Sequence, residues 1–202
     1  MRIALIGASG QAGSRILAEL SARGHQVTAT ARDPGKIASL PGVTAQAGDA
    51  ADPATLAPLL AGHDAVVSSI HFSASDPDKL IAAVKQAGVA RYLVVGGAGS
   101  LEVAPGVKLF DTPDFPAAYL QEARAGGAFL DRLKQEALDW TFLSPSAWFV
   151  AGERSGQFRL GTDQLLVDAT GDSRISFEDY AIALADEIEQ PKHIRRRFTV
   201  GY

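Results

Sequence analysis

Residues 2–13 read RIALIGASGQAG. Arg2 to Ile6 is a short apolar run stopped by Gly7, the pattern of a buried strand. Over residues 14–23, Ile16, Leu17 and Leu20 recur at helical spacing and Gly24 closes the segment, so a helix is expected there. The segment Gly7-Ala8-Ser9-Gly10-Gln11-Ala12-Gly13 therefore joins a strand to a helix. A helix N-terminus presents unpaired N–H groups and the positive end of the backbone dipole, which suits a phosphate. Glycine lets the backbone approach a pyrophosphate where a Cβ would collide. A glycine motif alone is weak evidence, and the strand before it and helix after it give it meaning. The bland alternative is a tight turn that binds nothing.

Outward from this loop the alternation continues. QVTATA (26–31) is a β-branched strand. Pro34 starts a short helix ending near Leu40, and VTAQA (43–47) is a third strand. Asp52 reads as an N-cap, with Pro53 in the first helical position, for a helix to about Leu60. DAVVSSI (64–70) is a fourth strand. Asp76-Pro77 opens a helix that runs to Gly88, and RYLVVGG (91–97) is a fifth strand. Residues 98–116 contain Pro105, Pro113 and Pro116 and read as an irregular loop, long enough to serve as a lid. A helical pattern covers 117–138, loosened by Gly126 and Gly127, and WTFLS (140–144) is a sixth strand. Beyond Pro145 a hairpin is expected over 156–169, turning at Gly161-Thr162-Asp163. A helix over 177–189 and a strand RFTVG (197–201) complete the chain. The class is α/β: a Rossmann-like doubly wound parallel sheet with a small C-terminal cap of hairpin plus helix. Residues 1–202 form one domain, with 146–202 supplying the cap on the substrate side.

Composition narrows the function. The chain has 202 residues, of which 19 are Lys or Arg and 23 are Asp or Glu, for a net charge of −4. An acidic chain is a poor match for nucleic acid or an anionic membrane. His193 with Arg195, Arg196 and Arg197 is a local basic run too short for a nucleic-acid footprint. No cysteine is present, which removes disulfides, thiol chemistry and Cys-bound zinc and favours a reducing compartment. No apolar run reaches the length of a membrane span, and the glycines at 7 and 10 interrupt any signal-peptide pattern. A cytoplasmic protein, monomeric or homodimeric, is expected. His25, His63, His71 and His193 are scattered without metal-ligand spacing, so no metal site is expected. The Gly-x-Ser-x-Gly of an α/β-hydrolase is absent.

Ligands of an open α/β sheet lie over the carboxyl ends of its strands. Arg32 stands 19 residues after Gly13, near the usual distance of about 20 to the residue that reads the ribose. An acid there would accept from the 2′-OH of NAD, whereas arginine offers a planar fork to the 2′-phosphate of NADP. Lys36 adds a second cation, while Asp33 is a competing acid beside it. On this motif NADP is the expected cofactor. The bland alternative is a solvated Arg32–Asp33 pair. Asp49, after the third strand, can accept from an adenine amino group. Ser68, Ser69 and Ile70 end the fourth strand at the same edge, and Gly96 and Gly97 leave room for a nicotinamide at the end of the fifth.

GASGQAGSRI (7–16), TARDP (30–34), Gly48-Asp49, GGAGS (96–100) and DWTFLSPSAWF (139–149) resemble the short-chain dehydrogenase/reductase superfamily. More narrowly they resemble its atypical NAD(P)H-binding branch, which includes the flavin reductase/biliverdin-IXβ reductase type and NmrA-like proteins. The resemblance covers almost the whole chain. It implies that Gly7, Ser9, Gly10, Gln11, Ala12, Arg32, Asp49 and Ala50 hold the cofactor. It also implies that 68–71 and the Ser144-Pro145-Ser146-Ala147 loop wrap the nicotinamide.

One departure bears on the chemistry. Dehydrogenases of this superfamily use Tyr-x-x-x-Lys, where the lysine lowers the tyrosine pKa. Here Tyr119 is followed four residues later by Ala123, Tyr180 by Leu184 and Tyr92 by Gly96. Hydride transfer to a ketone needs a proton donor at a strongly basic alkoxide. A flavin or quinone gives a less basic anion that water can protonate, so an acceptor of this kind is expected. His71, Ser100 and Tyr119 are the candidate donors or substrate contacts. Trp148 and Phe149 are placed either to stack on a flat acceptor or to pack the cap, and Lys134 reads as a solvated helix residue. The alternative is a non-catalytic NmrA-like NAD(P)-binding redox sensor that reports to a partner. A sugar-nucleotide epimerase-like enzyme is a third reading, although it normally needs the Tyr/Lys pair.

Overall fold

In the computed structural model, which describes residues 1–202, the alternation starts at once. It runs β1 (Arg2–Ile6), α1 (Gln11–Ala22), β2 (Gln26–Ala31), β3 (Val43–Ala47), α2 (Pro53–Leu60), β4 (Ala65–Ser68), α3 (Pro77–Gln86) and β5 (Arg91–Val95). A small hairpin of β6 (Glu102–Ala104) and β7 (Val107–Lys108) follows, then α4 (Ala117–Leu133) and β8 (Asp139–Pro145). The last part contains β9 (Trp148–Val150), β10 (Arg159–Gly161), β11 (Arg174–Ser176), α5 (Phe177–Glu189) and β12 (Arg196–Gly201).

Eight strands form one sheet in the order β3-β2-β1-β4-β5-β8-β12-β10. All pairs are parallel except β10 with β12. This is the Rossmann-like doubly wound architecture expected from the alternation. From β1 the chain winds outward through β2 and β3, then returns to β4 on the other side of β1. Loops leaving β1 and β4 therefore diverge and open a crevice between them.

Both faces of the sheet are covered, so the central strands are apolar throughout rather than alternating with polar residues. Ile3 and Leu5 face α1 and α5, packing with Leu17, Leu20, Leu184 and Ile188. Ala4 and Ile6 face α2, α3 and α4, packing with Leu56, Leu80, Val84 and Leu130. The helices that cover the second face start where the sequence says they should. The Asp52 carboxylate accepts from the N–H groups of Ala54 and Thr55, and that of Asp76 accepts from Asp78 N–H. Proline follows each cap, where its missing N–H costs nothing.

Several details differ from the sequence expectation. The helix expected after Pro34 is a single turn, Pro34–Lys36, capped by the Asp33 carboxylate. The loop 98–116 contains the β6–β7 hairpin. Helix α4 ends at Leu133, five residues short of the expected 138. Its glycines are close-packing points rather than loose ones: a Cβ on Gly126 would lie 2.9 Å from the Phe72 ring. The hairpin expected over 156–169 keeps only β10, which pairs with β12 instead of with 164–169. Asp163, in the expected turn, is drawn away by Arg197, whose guanidinium donates to its carboxylate at 2.6 and 2.8 Å. The parallel pair β9–β11 has no counterpart in the sequence reading.

Candidate cofactor and active site

At the end of β1 the backbone turns at Gly7 with φ of 84°, a left-handed conformation that favours glycine. A Cβ on Gly7 would stand 2.1 Å from the Ser69 carbonyl oxygen, and one on Gly13 would stand 2.1 Å from the Gly7 carbonyl oxygen. The fold itself needs these two glycines. Gly10 differs: its φ is −73°, and a Cβ there would meet only the Gly7 oxygen, at 3.4 Å. No side chain caps the start of α1, and the N–H groups of Gln11, Ala12 and Gly13 have no acceptor in the chain. Three free donors at the positive end of a helix dipole, beside a position without a Cβ, fit a pyrophosphate.

This loop borders a cleft of about 730 Å³ over the carboxyl ends of the central strands. Gly7, Ser9, Gly10, Gln11 and Ala12 line it, with Arg32 at the tip of β2 and Asp49 and Ala50 after β3. Ser69, Ile70 and His71 enter from the end of β4, and Gly96 from the end of β5. Tyr119 of α4, Phe149 of β9 and Phe177 of α5 complete its lining. Arg32 is exposed and has no hydrogen-bond or ion-pair partner in the chain. Its neighbour Asp33 is engaged elsewhere, accepting from Gly35 N–H at 3.1 Å and lying 3.8 Å from Lys36 Nζ. The Asp49 carboxylate accepts from Ala51 N–H at 2.9 Å.

Other residues expected at the site lie outside the cleft. Lys36 points to solvent beside Asp33. Ser68 is buried with its Oγ 2.9 Å from the Tyr92 hydroxyl. Gly97 does not line the cleft, and a Cβ on it would lie 3.7 Å from the Phe72 ring. Pro145 and Ser146 are buried, and the Ser146 hydroxyl donates to the Val200 carbonyl. Ala147 is exposed and its N–H donates to Ser173 Oγ. Ser100 is buried, and its hydroxyl oxygen accepts from Arg197 at 2.9 Å. Trp148 is exposed and also off the cleft.

The polar groups at the far end are His71, 86% exposed, and Tyr119, 62% exposed. Sequence reasoning missed a third, Glu122, one helical turn beyond Tyr119. Its carboxylate accepts from Phe72 N–H at 2.7 Å, Ser73 N–H at 2.8 Å and the Ser73 hydroxyl at 2.5 Å. It also lies 3.5 Å from His71 Nδ1. Burial raises the pKa of Glu122, but the Ser73 and Phe72 hydrogen bonds and the nearby His71 outweigh it and hold the group below the ordinary glutamate value. The only sequence signal for Glu122 was its spacing of three from Tyr119 on a helix. Phe177 was also missed; its ring meets Phe149 edge-on at 4.5 Å. Ala123, four residues after Tyr119, packs against the β5 loop so closely that a Cβ on Gly99 would be 2.5 Å from its own. No lysine lines the cleft. No group of three His, Asp or Glu side chains is placed to hold a metal ion, and no helix is long and apolar enough to cross a membrane.

Comparison with known proteins agrees with this geometry. The model of the NAD(P)H-binding family matches residues 7–191. The Bacillus subtilis strain 168 protein YwnB is 44% identical, over 99% of this chain and 98% of its own. A Burkholderia pseudomallei structure, provisionally named an exported protein, is 48% identical with a TM-score of 0.91 and covers 100% of both chains. A Bacteroides thetaiotaomicron structure, provisionally named an epimerase, is 42% identical with a TM-score of 0.95, over 100% of this chain and 96% of its own. A Streptococcus pneumoniae TIGR4 structure, provisionally named an NADH-flavin reductase, is 36% identical with a TM-score of 0.83, over 100% of this chain and 99% of its own. The chain belongs to the NAD(P)H-binding family.

Proposed function

We propose that this protein is an NADPH-dependent reductase that passes hydride to a flat acceptor, a flavin or a quinone. The observation that carries the proposal is a single cleft with a free helix N-terminus and an unpartnered Arg32 at one end and His71, Tyr119 and aromatic walls at the other. When bound, the reduced nicotinamide supplies a hydride. In this reading the N–H groups of Gln11, Ala12 and Gly13 bind the pyrophosphate, and Arg32 binds the 2′-phosphate because Asp33 is occupied by its own turn. Phe149 and Phe177 exclude water and offer faces for a planar ring. The acceptor takes one hydride from the cofactor and one proton from His71, Tyr119 or water. Segment 146–202 serves the substrate side through the same two phenylalanines. The name of the pneumococcal relative supports the reductase reading, and a chain without cysteine suits the cytoplasm.

The test is NADPH oxidation by the purified protein against riboflavin, FMN and simple quinones, with NADH in parallel. Turnover with NADPH well above NADH is expected. Equal binding of oxidised and reduced cofactor, with no turnover of any acceptor, would replace the reductase by a redox sensor.

A further inference from the structure

We propose that Glu122 is a positioning residue, whose carboxylate sets the gap between His71 and Tyr119 by clamping the turn that carries the histidine to the helix that carries the tyrosine. The inference rests on reading this end of the cleft as the acceptor site. The turn 71–74 leaves β4 and reaches the cleft at His71. Its internal backbone bonds are long, 3.2 Å from Ala74 N–H to His71 O and 3.3 Å from Ser75 N–H to Phe72 O. Two attachments fix it to α4. One is apolar: the Phe72 ring lies on Gly126 and packs against Phe129 and Phe142, at centroid distances of 5.4 and 5.9 Å. The other is Glu122, which engages both N–H groups at the head of the turn and the Ser73 hydroxyl.

The apolar contacts hold the Phe72 ring. The three bonds to Glu122 hold the backbone of Phe72 and Ser73 and the Ser73 hydroxyl. They act on the residues next to His71, and the same carboxylate faces the imidazole at 3.5 Å. Tyr119 stands one turn earlier on the same helix, so the acceptor-end polar groups are referenced to one side chain. In the usual Tyr-x-x-x-Lys arrangement a cation acts on the tyrosine. Here an anion three residues on acts on the backbone across the cleft.

The clamp is tested with Glu122→Ala, Glu122→Gln and the milder Ser73→Ala, which deletes only the hydroxyl contact. Amide hydrogen exchange at Phe72 and Ser73 reads the clamp without any turnover. In Glu122→Ala it accelerates by about tenfold or more, in proportion to the lost hydrogen bonds. For a quinone acceptor kcat/KM falls about tenfold while the NADPH Kd stays within about twofold, since a misplacement of about 1 Å is costly for reaction but not for remote binding. Glu122→Gln keeps one accepting oxygen and loses the other, so it retains either the Phe72 contact or the Ser73 contacts and gives intermediate values of both, and Ser73→Ala shifts both in the same direction by less. Unchanged exchange in Glu122→Ala overturns the clamp. A loss of NADPH affinity as large as the loss in kcat/KM makes Glu122 a general staple and overturns the positioning role. If wild type turns over no acceptor, the reductase reading fails on its own, and the exchange rates together with the riboflavin Kd of each variant decide the proposal. A riboflavin Kd unmoved by Glu122→Ala then counts against it.

Discussion

Replacing Gly10 with alanine adds one methyl group at the N-terminus of α1, and its effects on stability and on binding separate. The residue has φ of −73° and ψ of 171°, which alanine adopts without strain, and the new Cβ makes an ordinary contact with the Gly7 oxygen at 3.4 Å. Two opposing terms remain. Alanine is a poorer N-cap than glycine by about 0.5–1 kcal/mol, and it restricts the unfolded chain by about 0.4–1 kcal/mol in the other direction. They nearly cancel, so Tm should move by less than about 4 °C for a domain of this size. Cofactor binding is another matter. The methyl group occupies the approach to the free N–H groups, and losing one hydrogen bond to a charged phosphate costs about 1.5–3 kcal/mol, or about 10- to 150-fold in Kd. Gly13→Ala is the contrasting variant, because its Cβ would sit 2.1 Å from a backbone oxygen and force the strand and helix apart. Thermal melts with calorimetric titration of NADPH check both. Wild-type affinity in Gly10→Ala, or a melting loss comparable to that of Gly13→Ala, would refute the reasoning.

Arg32→Ala should raise the NADPH Kd by about 10- to 100-fold through loss of a charge-assisted contact and leave the NADH Kd nearly unchanged; an equal loss for both cofactors contradicts the 2′-phosphate assignment. Glu187, 3% exposed, accepts from Arg91, from the Lys192 and His193 N–H groups, and contacts the His193 ring. Glu187→Ala strands the buried Arg91 charge and should cost about 3–5 kcal/mol in urea denaturation, with cofactor affinity of the folded protein unchanged because the network lies at the amino ends of the strands. Tyr92 and Tyr180 are fully buried; burial raises both pKa values above 10, opposed by the Ser68 hydrogen bond at Tyr92 and a backbone contact at Tyr180. A raised folded pKa means this contribution is complete below pH 10 and is lost as pH climbs above it. In an alkaline absorbance titration these two tyrosines should therefore ionise only together with unfolding, and smooth early ionisation of all four tyrosines would count against their burial.

The half of the chain built from repeated strand–helix units was legible because each signal there is local. Asp52-Pro53 and Asp76-Pro77 announce helices through side chains that cap their own N-termini. RIALI and RYLVV are apolar on both faces because helices cover both faces of the sheet. The geometry of the glycine loop was legible for the same reason, since its turn from strand to helix lies within seven consecutive residues. The C-terminal part was harder because its strands choose partners far away in sequence. Arg159–Gly161 could turn back on 164–169, but it pairs with β12 instead, and Arg197 holds Asp163 out of the turn. Ser100 shows the same limit. It sits just after β5 where a substrate contact belongs, yet Arg197, 97 residues away, holds its hydroxyl. Glu122 was invisible because its partners are backbone N–H groups 49 and 50 residues earlier, and an N–H leaves no mark on a sequence.

The sheet divides the apolar interior into two groups of side chains that do not mix, one of 24 buried residues against α1 and α5 and one of 18 against α2, α3 and α4. Sites on opposite sides share no side-chain neighbours, and energetic effects at such separated sites add nearly independently. Each compartment can thus drift or be redesigned without the other having to follow. The strand ends between them, where the cleft lies, stay anchored from both directions while that drift proceeds.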